Sequence, residues 1–171
     1  MTVGESFLPE FDAEMATTRR LLERVPADRL EWKPHAKSMS LGSLATHVTE
    51  LPRWGLRFEA LQWQVGNEKA PPMKSAAEFL ARFDENVAGS RASIARKTDE
   101  EMQQEFTVLR PNGELFFKHK RKSLLRRILL NHLIHHRGQL TVYLRLNNIP
   151  LPPIYGPTAD EAAFETPAPD L

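Results

Sequence analysis

Residues Asn131–Leu146, NHLIHHRGQLTVYLRL, decide the fold and carry three of the six histidines of the chain. Leu125, Leu129, His132, His136, Leu140 and Tyr143 recur at steps of three and four, the spacing of one helical face. Two positions of that face hold histidine rather than an aliphatic residue. At about 100° per residue, His132 and His136 stand about 40° apart and about one turn along the axis. Two imidazoles so placed can reach one metal ion. His132 and His135, about 60° apart on the other side of the wheel, form the competing pair; the apolar stripe favours His136. The other account of histidines in such a stripe is a polar core, in which every ring nitrogen must find a partner or cost about 1–3 kcal/mol. The pair alone leaves both accounts open.

Outward from this stretch, three more amphipathic helices are expected. From Glu5 to Val25, residues Phe7, Phe11, Met15, Thr18, Leu22 and Val25 share one face, with a stop near Pro26. From the Ser40 cap, Leu44, His47, Leu51, Trp54, Phe58 and Leu61 form a near-heptad stripe, again with one histidine inside it. Pro52 predicts a kink one turn past His47. Glu50, three residues on from His47, points near the same place or stands solvated at the stripe's edge. Ser75 and Glu78 have capping-box spacing before a helix over 76–96 with Phe79, Phe83, Val87, Ser90 and Ile94 inward. FTVLR-PNG-ELFF, 106–117, reads as a short hairpin or extended loop. Ser123 is the expected cap of the last helix, which runs to Asn147. The expectation is an all-α four-helix bundle, one domain over 1–171, with a flexible tail from about residue 160.

Composition narrows the chemistry. Hydrophobic residues make up 41% of the 171 positions and charged residues 26%, a globular balance in which disorder is not the default. A net charge of +1 gives no reason to expect a nucleic acid partner. The basic cluster Lys118, Lys120, Arg121, Lys122, Arg126 and Arg127 has no interleaved aromatics and reads as a solvated face. His35 and His119 read as exposed. With no cysteine there are no disulfides, thiolate ligands or iron–sulfur clusters. A metal must then be held by His, Asp or Glu, which suits zinc or nickel first and iron or manganese next. The start MTVGESFLPEF lacks a basic then apolar pattern, so no signal peptide is expected, and no run approaches a membrane span. A cytoplasmic protein without a membrane partner is the expectation.

One inward histidine on the second helix and two on the fourth make a plausible triad with open positions for water or substrate. At this point a resemblance emerges. NHLIHHRGQLTVY (131–143) resembles the histidine-rich last helix of the DinB/YfiT-like family. LGSLATHVTEL (41–51) is similar to that family's second helix, and WKPHAKSMS (32–40) and PPIYGPTADE (152–161) resemble its flanking signatures. The resemblance covers essentially the whole chain. It implies a four-helix bundle, commonly a homodimer, with a divalent metal held by His47, His132 and His136, and His135 left to a supporting or surface role. Characterised members include transferases and isomerases that use low-molecular-weight thiols such as bacillithiol or mycothiol.

Two functions follow. One is a metal-dependent enzyme that transfers a small thiol or hydrolyses a substrate, with the histidines as ligands and not as bases. The other is a non-catalytic bundle that binds metal or a stress metabolite. Turnover separates them. Tyr143 and Glu50 are candidates to touch a bound ligand, and no catalytic residue is assigned.

Overall fold

The computed structural model describes residues 1–67 and 70–161. Helix α1 (Val3–Leu22) starts at Thr2, whose hydroxyl accepts from the Glu5 N–H while the Glu5 carboxylate accepts from the Thr2 N–H. Phe7, Phe11, Met15, Thr18 and Leu22 turn inward, as their spacing predicts. Helix α2 (Leu41–Glu50) is capped by the Ser40 hydroxyl, which accepts from the Ser43 N–H. It ends earlier than the Leu44–Leu61 stripe implies. Pro52 offers no N–H to the Val48 carbonyl; a 3₁₀ turn (Leu51–Arg53) and a four-residue helix α3 (Trp54–Arg57) follow. Leu61, expected inward, is 60% exposed.

Strand β1 (Gln62–Gln64) leads to the long helix α4 (Ala76–Arg96), which packs against α1, α2 and α3. Helix α4 supports the break in its neighbour. Asn86 donates to the Thr49 carbonyl and Ser90 to the Pro52 carbonyl, replacing donors that the interrupted helix lacks. Gly55 makes the close approach possible: a Cβ there would stand 2.7 Å from the Cβ of Ser90. A short helix α5 (Asp99–Gln103) precedes β2 (Glu105–Leu109), which pairs antiparallel with β3 (Leu115–Lys120) around a turn with Gly113 at φ 84°. This is the expected hairpin. Strand β1 adds to it in parallel, Trp63 opposite Val108. The protein is therefore mostly helical with a small three-stranded sheet, which corrects the all-α class. Three residues, Gln-Trp-Gln, give too short an alternation to announce a strand whose partner lies beyond a whole helix.

The last helical stretch has three parts: α6 (Arg121–Leu124), a π-helical segment (Leu125–Leu130) and α7 (Asn131–Leu146). Ser123 lies inside α6 and caps nothing, because β3 runs directly into the helix at Lys120. The π segment has a legible cause. In α7, Leu133, Arg137, Leu140 and Leu144 face the interior. Continued backward at about 100° per residue, that face would bury Arg126 and expose Leu124. The structure does the reverse, with Leu124 and Leu125 buried and Arg126 exposed. One residue too many separates the two apolar runs, and the wider π turn absorbs it.

The basic cluster is mostly spent on internal partners. Arg121 is buried and donates to the Glu101 and Ala60 carbonyls and to Gln104, so it is not part of a solvated face. Arg126 pairs with Glu10, and Lys118 with Glu105. Beyond α7 the chain returns: Tyr155 meets Arg137 and Glu14, and Asp160 pairs with Arg145. The expected flexible tail otherwise falls outside the described residues. Among those residues no helix is long and apolar enough to cross a membrane.

Candidate metal centre

Three imidazoles meet where α2 faces α7. His47 comes from the last turn of α2, and His132 and His136 from the start of α7. The Nε2 atoms of His132 and His136 are 2.9 Å apart, and those of His47 and His132 are 3.3 Å apart. One nitrogen from each ring lies within 4.8 Å of the others. Two ligands about 2.0–2.1 Å from a common ion stand about 3.0 Å apart at a right angle and about 3.4 Å apart at the tetrahedral angle. The observed spacings fall close to this range. All three rings are half-buried. They sit at the flank of α7 rather than in the middle of its buried face, where Leu133 and Arg137 stand. The π segment explains this offset from the expected stripe.

The second nitrogen of the His136 ring decides what its Nε2 presents. Nδ1 of His136 is 2.7 Å from the Gln139 Oε1, a contact that requires Nδ1–H. The Nε2 of His136 then carries a lone pair, turned toward the Nε2 of His132 at 2.9 Å. A cation placed between the two nitrogens would be held by both rings. The Ile128 backbone, within the π segment, favours the charged form of His132.

Charge is also held off the site. Burial first, then the nearby His136, His132 and Arg57, push the His47 imidazole from 6.5 down to about 4. Burial likewise lowers His132 and His136, with His135 adding repulsion to both, while the Ile128 and Gln139 contacts pull the other way. Neutral imidazoles at ordinary pH are the form that binds metal.

A cleft of about 400 Å³ opens on His47 and His132. Its walls include Thr46, Glu50, Leu51, Trp54, Arg57 and Trp63. Glu50 is neither solvated nor a member of the histidine cluster. Arg82 Nε donates to its Oε1 at 2.7 Å, with Asn86 and Arg53 nearby. A second groove of about 630 Å³ adjoins the first, sharing Ser43, Thr46 and Ala70. Tyr143 turns elsewhere: its hydroxyl donates to the Met39 carbonyl and its ring meets Trp32 edge-on. His135 and His35 are exposed, as expected. His119 is half-buried on β3, paired in register with Phe106 and near Arg127, rather than exposed. Gln139 was legible as a helical neighbour of His136 at i+3. Trp63 carried no local signal, since only the parallel pairing of β1 brings it to the cleft.

Comparison with known proteins agrees with this architecture. The uncharacterized protein YrdA of Bacillus subtilis is 27% identical over 173 residues, covering 98% of this chain and 97% of that protein. The solved structure of a DinB-like protein from B. subtilis, YjoA, superposes with a TM-score of 0.68 at 19% identity, covering 88% of this chain and 97% of its own. A DinB-like protein from Bacillus cereus gives 0.69 at 22% identity, with the same coverage of 88% and 97%. At such identities these structures speak for the fold alone. The family model described as the DinB family matches residues 1–170, and the chain belongs to that family.

Proposed function

We propose that the protein is a metal-dependent enzyme, a helical bundle that holds one divalent ion at His47, His132 and His136. The observation that carries this reading is the convergence of one nitrogen from each of three half-buried rings, all within 4.8 Å of one another, with His136 oriented by Gln139. A histidine-only donor set suits zinc or nickel, with iron or manganese next. Three protein ligands leave positions open, and a divalent ion there would polarise a bound oxygen or favour the thiolate of a bound thiol. The chain's own residues do the rest. Leu51, Trp54 and Trp63 line an apolar wall that limits water, and Glu50, held in place by Arg82, presents a fixed acceptor to a ligand.

Within that reading the reaction is transfer of a small thiol to an electrophile. The two adjoining grooves favour transfer over hydrolysis, because transfer needs room for two organic partners and hydrolysis for one and a water. We also propose a homodimer: α7 presents Val142 and Leu146 outward, at 56% and 57% exposure. Sedimentation showing only monomer at micromolar concentration would remove that part.

The test is metal content by elemental mass spectrometry on untagged protein purified without chelating resin, beside His47→Ala and His136→Ala. Near one ion per chain, absent from both variants, is expected. Folded protein that stays metal-free after addition of zinc, nickel or manganese defeats the proposal. Metal binding without metal-dependent turnover across thiols paired with electrophiles, esters and amides would instead indicate a binding module.

A further inference from the structure

The flank of α2 that is only half-buried carries Thr46, His47 and Glu50, and all three line the cleft. Thr46 and Glu50 stand four residues apart, which makes them neighbours about 5–6 Å apart at Cβ on one side of the helix. Their polar atoms are in different states. The Thr46 hydroxyl lies where the two grooves join and makes no hydrogen bond among the described residues. The Glu50 carboxylate is met from behind by Arg82, Asn86 and Arg53. Its charge is matched, yet an oxygen with several lone pairs can still accept from a neutral N–H or O–H. The facing wall is apolar, made by Leu51, Trp54, Trp63 and Val65. The two indoles meet edge to face with centroids 5.2 Å apart. Arg57 lies across both rings and has a further partner within the protein. Glu50 and Arg57 are the acidic and basic residues among those lining the cleft, and both are engaged. A charged ligand group seated on this flank would leave water without a counter-charge, which costs far more than seating a neutral polar group that finds its hydrogen bonds.

We propose that the cleft is a seat for an uncharged small molecule. Its apolar body lies against Leu51, Trp54, Trp63 and Val65, and one neutral polar group of the amide kind sits between Thr46 and Glu50. The donor of that group meets Glu50, and its acceptor meets the Thr46 hydroxyl. The role of this molecule as a substrate of the metal centre rests on the metal reading above; the seat on α2 does not. The cleft of about 400 Å³ admits a small molecule and not a polymer.

Indole N–H signals in the NMR spectrum read the contact directly. Of the three tryptophans, Trp54 and Trp63 line the cleft, whereas Trp32 packs against Tyr143 and serves as the control. The probes are benzamide, benzoate and benzamidinium, which share one shape and are neutral, anionic and cationic in turn. They are titrated first into metal-free protein, where a carboxylate cannot bind an ion directly, and then into zinc-loaded protein. Benzamide should shift the Trp54 and Trp63 signals saturably and leave Trp32 in place. In metal-free protein benzoate and benzamidinium should bind at least about tenfold more weakly, for want of a free counter-charge. Thr46→Val keeps the shape and removes the hydroxyl. It should weaken benzamide about two- to tenfold, the scale of one neutral hydrogen bond, with circular dichroism and metal content as in the parent. No saturable shift of the cleft indoles, either ion binding metal-free protein as tightly as benzamide, or Thr46→Val binding benzamide like the parent overturns the proposal. The expected order in metal-free protein upholds the seat even if the triad never takes up metal. Metal uptake without a preference for the neutral probe overturns the seat and leaves the metal reading standing.

Discussion

His136 and Arg137 are consecutive residues of one helix, and their surroundings are opposite in kind. Arg137 is 1% exposed and its demands are met by the protein. It donates to the Glu14 carbonyl, the Thr18 hydroxyl and the Tyr155 hydroxyl, and pairs with the Glu14 carboxylate at 2.6 Å. Tyr155 in turn donates to Glu14, which closes the circuit. The histidine face is less buried and brings three ring nitrogens together with no carboxylate among them. A buried polar cluster that completes itself is architecture. One whose donor atoms converge on a single point, as in a metal site, is suited to something that arrives from outside.

Four experiments bear on that contrast. The largest effect should come from deleting a residue. Removing Ile134, between the two α7 histidines, turns everything after it by about 100° and disconnects both faces at once. Metal binding and cooperative unfolding should both be lost. Removing Arg127 should spare both, because the π segment already holds a surplus residue and can revert to an α turn; circular dichroism and metal content would show the difference. Next, Arg137→Met strands Glu14 in the interior and should cost about 3–5 kcal/mol by urea denaturation, while His136→Ala in metal-free protein costs far less. If the two costs were equal, the contrast between the faces would fail. Third, Gln139→Leu frees His136 Nδ1 and should weaken metal affinity about 10- to 100-fold with little change in apo stability. An unchanged affinity in a competition titration would mean that ring orientation is set elsewhere.

The smallest and most gradual effect is the pH dependence of the metal-free protein. Folding holds His47 near 4 against 6.5 in the unfolded chain. Between those values the unfolded chain binds a proton that the folded one refuses, so stability falls as pH drops from about 6.5 to about 4 and levels below. His47→Gln should flatten this slope in a series of thermal melts.

Much of this was legible in the sequence. His47, His132 and His136 were named from their place in apolar stripes, and capping residues and spacing located α1 and α4. What sequence could not carry was phase and partnership. The stripe Leu125–Leu129–His132–His136–Leu140–Tyr143 assumes a uniform helix; the π segment breaks that assumption and moves the histidines to the flank. Arg121 read as one of a basic run because nothing local shows that it reaches carbonyls of two other segments. Trp63 could not be brought to the site without knowing that β1 pairs with β2 in parallel. Their roles depend on contacts between distant stretches, which residue spacing does not encode.

That parallel pairing has a kinetic consequence. Gln62–Gln64 and Glu105–Leu109 meet only after the intervening helix has formed and folded back, a long loop closure for a three-residue reward. The histidines of α7 are neighbours from the moment their helix forms, whereas the Trp63 wall depends on a closure across the whole of α4. The two α7 histidines can thus be side by side before the pocket is closed, and when native protein breathes, the Trp63 wall should peel back while that pair stays in place.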